Sequence, residues 1–211
     1  MSKRKVLVFA AFVCMIGLGF TAKMRARRTQ EEAPGTLTIS IRDFCDPATF
    51  NANPPAGIGP GTCVRGDNVS VNGSQTLAGF RAELRPEKSV GAWRFNPNRV
   101  ETEENVNLTL VSHGGETHTF TRVAEFGGGF VAPLNAASGN LIPRPECAKV
   151  MPDGSLVPQP PSANNIFVEP GETDPGPRII GEEQAKFQCC IHPWMRATIN
   201  PEHRDHDRKH D

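Results

Sequence analysis

The chain has 211 residues, with 23 Lys and Arg against 23 Asp and Glu, and so no formal net charge. That balance excludes the basic footprint of a nucleic-acid-binding protein. Nineteen Pro and twenty Gly beside only 7% aromatic residues predict a loop-rich β protein with a modest core, and the absence of Tyr excludes electron relay through tyrosines.

Ser2–Lys5 is basic and Val6–Ala22 is nearly unbroken apolar sequence, the n-region and h-region of an export signal. Residues 1–28 therefore read as a signal peptide ending near Ala22, or as an N-terminal membrane anchor through residues 6–22. Lys23, Arg25, Arg27 and Arg28 directly after the run oppose export under the positive-inside rule. The cysteine count, below, favours it. Residues 29–35 are polar and read as a linker to a domain over 36–200. Thr36–Phe44 alternates apolar and polar residues and predicts the first strand. Cys45 ends it, and a Pro- and Gly-rich loop leads to Cys63, a candidate partner that would close a short loop.

Asn68–Val71 predicts a brief strand. Ser74 is placed to cap a helix over Gln75–Leu84, with Leu77, Phe80 and Leu84 on one face and Pro86 as the stop. From Gly91 the pattern returns to β. Trp93 and Phe95 share a face, and Val100 followed by Val106, Leu108 and Leu110 predicts two strands joined by an acidic turn at Glu101–Glu104. His118 follows a Gly-Gly loop and opens the strand-like Thr119–Val123, with His113 as a rival histidine. Residues 127–165 read as a long loop without regular structure, carrying Cys147 and the run Pro158-Gln159-Pro160-Pro161. Ile166–Glu172 predicts the turn into the last strands, and Arg196–Ile199 completes the sheet. Residues 201–211 have no apolar residue to bury and predict a disordered tail with His203, His206 and His210.

The densest chemistry is in Lys186-Phe187-Gln188-Cys189-Cys190-Ile191-His192-Pro193-Trp194-Met195. Strand alternation sends Phe187 and Cys189 to one side and Lys186 and Gln188 to the other. A thiolate at the end of a buried strand, followed by an imidazole and a thioether, is a soft donor set that suits copper. One further histidine completes the His2Cys arrangement with a weak axial Met. Six Cys are present. Cys14 lies in the apolar run and one Cys is given to the metal, which leaves Cys45, Cys63, Cys147 and Cys190 for two disulfides and favours an oxidising compartment. Cys147 could pair with Cys190 and tie the long loop to the metal loop.

Arg94-Phe95-Asn96-Pro97, the His118 segment and the Cys189–Met195 run together resemble the cupredoxins, the small blue copper proteins. The short ligand loop is similar to that of amicyanin- and plastocyanin-like members. The resemblance covers Thr36–Asn200. It implies an all-β Greek-key sandwich, here with a short helical insertion and a long loop insertion. It implies copper ligands His118, Cys189, His192 and Met195, with Cys189 preferred to Cys190 by the family spacing and by its inward direction. The family commonly carries an Asn that ties the histidine loop to the ligand-Cys segment by hydrogen bonds, and Ser112 occupies that position. Pro193 and Trp194, expected on an exposed loop, would offer an apolar patch to a redox partner protein. The implied function is single-electron transfer by one type 1 copper outside the cytoplasm, without catalysis. Copper delivery or storage aided by the His-rich tail, and a metal-free interaction module of the same fold, are the competing readings. The sequence has no His-x-His pair for a multicopper cluster and no Cys-x-x-Cys of the kind common in structural zinc sites.

Overall fold

The computed structural model describes residues 35–64, 75–85, 90–103, 105–179 and 183–202. The readings for residues 1–34, for Asn68–Val71, for Ser74 and Pro86, and for residues 203–211 lie outside these. Among the described residues no helix is long and apolar enough to cross a membrane.

Alternation governs the sheets. In β1 (Thr36–Arg42) the inward positions are Ile39 and Ile41, and in β4 (Val106–Ser112) they are Val106, Leu108, Leu110 and Ser112. These two strands pair in parallel. With β2 (Arg94–Asn96) and β9 (Thr173–Ile179) they form a four-stranded sheet ordered β2-β1-β4-β9. The second sheet takes β3 (Arg99–Glu103), β5 (His118–Val123), β8 (Asn165–Val168), β10 (Ala185–Gln188) and β11 (Arg196–Glu202), in the order β3-β11-β10-β5-β8. Ile39, Ile41, Phe95, Leu108 and Leu110 of one sheet meet Phe120, Phe187, Ala197 and Ile199 of the other in one core. Phe120 and Phe187 stack with ring centroids 4.3 Å apart, and Phe95 meets Phe120 edge-on. This is a two-sheet β-sandwich in which the chain crosses repeatedly between the sheets, from β2 to β3, β3 to β4, β4 to β5, β8 to β9 and β9 to β10, as Greek-key connections do.

Several expectations are corrected in detail. The acidic stretch expected as a turn is strand instead: Glu101–Glu103 belong to β3, which lies in the sheet opposite β4, and Asn105, whose φ is 61°, leads into β4. The predicted helix is α2 (Leu77–Glu83), capped by the Thr76 side chain, which accepts from the Gly79 N–H. A shorter helix, α1 (Pro47–Phe50), precedes it and is capped by Asp46. The tail was expected to begin at 201, but Pro201 and Glu202 pair with Thr102 and Glu103 at the end of β11.

The 127–165 insertion is not a loop without regular structure. It holds α3 (Ala132–Ala137) and a hairpin of β6 (Ala148–Val150) and β7 (Leu156–Pro158). It is fastened to the second sheet by the Cys147–Cys190 disulfide. A second fastening is the Phe130 N–H, which donates to the Cys190 carbonyl; within the insertion, buried Asn135 accepts from the Gly129 N–H with its side-chain oxygen and donates its amide to the Gly129 carbonyl. Gly129 lies so close to the Cys190 carbonyl that any Cβ there would overlap it. The insertion therefore covers the outer face of β10. Gln188, expected on an outward face, is fully buried, accepting from the Gly127 N–H and donating to the Gly127 carbonyl.

Candidate metal centre

Three strand ends at one edge of the sandwich bring the site together. His118 is the first residue of β5, Cys189 follows the last residue of β10, and His192 lies in the short link to β11. The link is closed on itself: the Cys189 N–H donates to the Met195 carbonyl, and the Met195 N–H donates to the His192 carbonyl. His118 is 0% and His192 2% exposed, while Cys189 is buried and free of any disulfide. Met195 is buried in the same core cluster as Cys189.

The donor atoms form a small triangle. Cys189 Sγ lies 3.7 Å from His118 Nδ1 and 3.7 Å from His192 Nδ1, and the two Nδ1 atoms are 3.3 Å apart. Three donors around one ion, at metal–nitrogen and metal–sulfur bonds of about 2.0 and about 2.3 Å, stand about 3.5–3.8 Å from one another. The observed triangle is thus of the size that a trigonal transition-metal ion requires, and its donors are of the right chemical kind. Backbone N–H groups of Thr119 and His192 point at the sulfur, each at 3.4 Å.

Electrostatics agree with the geometry. Burial alone would push His118 down, but the Asp43 carboxylate and the Cys189 sulfur outweigh it and raise its pKa to about 10. His192 is lowered by burial and raised by Cys189 and Glu116, with a net upward shift. Cys189 is pushed up by burial, yet both imidazoles hold it well below the usual thiol range. Without metal the site is therefore a thiolate beside imidazolium.

Each predicted site residue can now be placed. His118, Cys189 and His192 converge, and Met195 closes their loop. His113 stands apart from the cluster; its N–H donates to the Ile41 carbonyl. Cys190 bridges to Cys147, and Cys45 bridges to Cys63. Ser112, which stands where the family's Asn would tie the loops, is buried and its hydroxyl has no hydrogen-bond partner, so it makes no such tether. That work falls to Thr119, whose hydroxyl accepts from the Cys190 N–H at 2.7 Å. Pro193 and Trp194, expected on an exposed patch, are buried, Trp194 to 8% exposure. The reason is the 45–95 segment, which lays Phe50, Phe80 and Trp93 over this edge. Trp93 meets the His192 ring at 4.8 Å between centroids, and Phe80 meets Trp194 at 5.8 Å.

Two further residues escaped the sequence reading. Asp43, fully buried, accepts from His118 Nε2 and from the Gly115 and Glu116 N–H groups. Glu116 stands 3.2 Å from His192 Nε2. Asp43 did carry a signal, because it continues the inward register of Ile39 and Ile41, where a carboxylate needs a partner. Glu116 carried none. Gly114 and Gly115 allow the loop to lie against Asp43 and the Cys45–Cys63 bridge; a Cβ on Gly115 would come within 2.6 Å of Cys45 Sγ.

No protein-family model matches the sequence, and neither does any curated protein. Among solved structures, the chain is similar to a purple cupredoxin from Nitrosopumilus maritimus, at 12% identity and a TM-score of 0.32, covering 56% of this chain and 95% of that one. It is also similar to auracyanin B, at 20% identity and a TM-score of 0.30, covering 52% and 81%. A reduced amicyanin variant follows at 11% identity and a TM-score of 0.29, covering 58% and 89%. The fold is a two-sheet β-sandwich. Its sheet edge carries a buried His-Cys-His cluster.

Proposed function

We propose that this chain is an extracytoplasmic type 1 copper protein that carries single electrons between partner proteins and catalyses no reaction of its own. In this reading His118, Cys189, His192 and Met195 would hold the copper ion. The observation that carries it is the triangle of two imidazole nitrogens and one thiolate, all buried, at the separations a single ion needs. A bound copper ion supplies a reversible one-electron couple between Cu(II) and Cu(I).

The residues do the rest. Cys189 holds its thiolate with two backbone N–H groups aimed at it, which spreads its charge and keeps the sulfur in place. The imidazoles are fixed from behind by Asp43 and Glu116. The surrounding Trp93, Trp194 and core aromatics exclude water, so little has to rearrange when one electron arrives or leaves. Two disulfides among the described residues favour an oxidising compartment, and so an export signal or anchor in residues 1–28. A redox partner protein is expected, with no nucleic acid involved.

The test is a Cu(II) titration of the protein followed by visible absorption and EPR. The expected result is an intense thiolate-to-copper band that saturates at one equivalent and is bleached by ascorbate. Weak, colourless binding at several sites would move the reading to copper delivery or storage, and no binding at all would leave a metal-free interaction module.

A further inference from the structure

Behind each imidazole stands a carboxylate, and the two come from different places in the chain. Asp43 follows the end of β1, and Glu116 lies in the loop before β5. Asp43 is sealed from solvent with its histidine, and the Glu116 side chain is 13% exposed. Among the described residues, the one ion-pair partner of each carboxylate is its imidazole. Both histidines direct Nδ1 at Cys189 and Nε2 at the carboxylate. An ionised carboxylate only accepts hydrogen bonds, so when each imidazole gives up its second proton the carboxylate keeps the remaining one on Nε2 and leaves the Nδ1 lone pair free toward the sulfur side.

Resting on the copper reading, we infer that Asp43 and Glu116 are positioning residues that bias the site toward the oxidised ion. Three anionic groups, Cys189, Asp43 and Glu116, then surround one metal position. A dipositive ion leaves one negative charge uncompensated there, and a monopositive ion leaves two. In a site walled by Trp93, Trp194 and Phe80, water does little to screen that difference. Carboxylates behind imidazoles also make them stronger donors, which again favours the higher charge state. The chain therefore holds its ion in the oxidised form more firmly than the same four ligands would without these two groups.

The two carboxylates are not equally easy to test. Asp43 also accepts from two backbone N–H groups, so an amide there would turn its NH2 toward donors and disturb the loop. Glu116 makes its side-chain contact to His192 alone, so Glu116→Gln keeps shape and one acceptor while removing the charge. The experiment measures the reduction potential and the ratio of Cu(II) to Cu(I) affinity in the full chain and in Glu116→Gln, with Asp43→Asn as a second variant. Expected is a retained visible band and a fall of about tenfold or more in that ratio for Glu116→Gln, an upward shift of about 59 mV per tenfold for a one-electron couple. Asp43→Asn is expected to move the potential in the same direction. An unmoved or lowered potential in coloured Glu116→Gln overturns the inference alone. Loss of the band in Glu116→Gln also overturns it, because a positioning residue leaves the ligand set intact. A wild-type chain without the band overturns it together with the copper reading.

Discussion

The strongest consequence of the site electrostatics is a pH dependence of metal affinity that extends unusually far into the alkaline range. The perturbation is pH alone. With its pKa raised to about 10, His118 is protonated by about a thousand to one at pH 7 in the metal-free protein. A metal ligand must give up that proton. The apparent affinity at pH 7 thus lies about a thousandfold below its limit, a cost of about 4 kcal/mol, and rises about tenfold per pH unit. The sign follows from the direction of the shift: a raised imidazole competes with metal below its pKa and stops competing above it. An unperturbed site would also release a proton at pH 7, from an ordinary thiol, so the slope near neutrality decides nothing. The discriminating range is above about 8.5, where an ordinary thiol is already ionised and the slope falls toward zero. Here the slope persists to about pH 10. The assay is a Cu(II) competition titration against a chelator at intervals from pH 7 to 10, together with the ultraviolet thiolate band of the metal-free protein. Levelling of the affinity near pH 8.5, with the thiolate band appearing only there, would refute the reasoning.

Other expectations are simpler to state. Cys189→Ser abolishes the thiolate-to-copper absorption, whereas the paired change Cys147→Ala with Cys190→Ala keeps it. Removing that 43-residue bridge costs about 4 kcal/mol in the chain-entropy model, readable as a lower urea midpoint. Gly115→Ala forces a Cβ against Cys45 Sγ, and overpacking of this kind costs about 1–3 kcal/mol, visible as a lower melting temperature. Trp93→Ala removes a buried indole from between Phe80 and His192 and costs about 3–5 kcal/mol of stability by denaturant unfolding.

The sandwich was legible because half-buried strands advertise themselves by alternation, as Ile39-Ile41 and Val106-Leu108-Leu110 do. Cys189 and His192 were readable from spacing and strand direction, since Phe187 fixes which side Cys189 faces, whereas the choice of His118 over His113 came from the resemblance to the cupredoxins. What lay outside the sequence signal depends on contacts between segments far apart in the chain. Nothing local to Pro193 and Trp194 shows that Phe80 and Trp93 will cover them. The buried state of Gln188 likewise follows from an insertion that arrives forty to sixty residues earlier. The helix cap moved from Ser74 to Thr76 because two hydroxyl residues compete at that start, and local sequence does not rank them. Asp43 was readable in principle, as an acid on an inward register.

The aromatic covering over His192 also bears on how long an ion stays. With Trp93 and Trp194 packed against His192, Phe80 against both indoles, and Phe50 from the Cys45–Cys63 loop stacked on Trp93, both ligand histidines are closed to a competing chelator. Departure of a bound ion then waits on local opening of the cover, and its residence time follows the free energy of that opening more than the strength of any single bond to the metal.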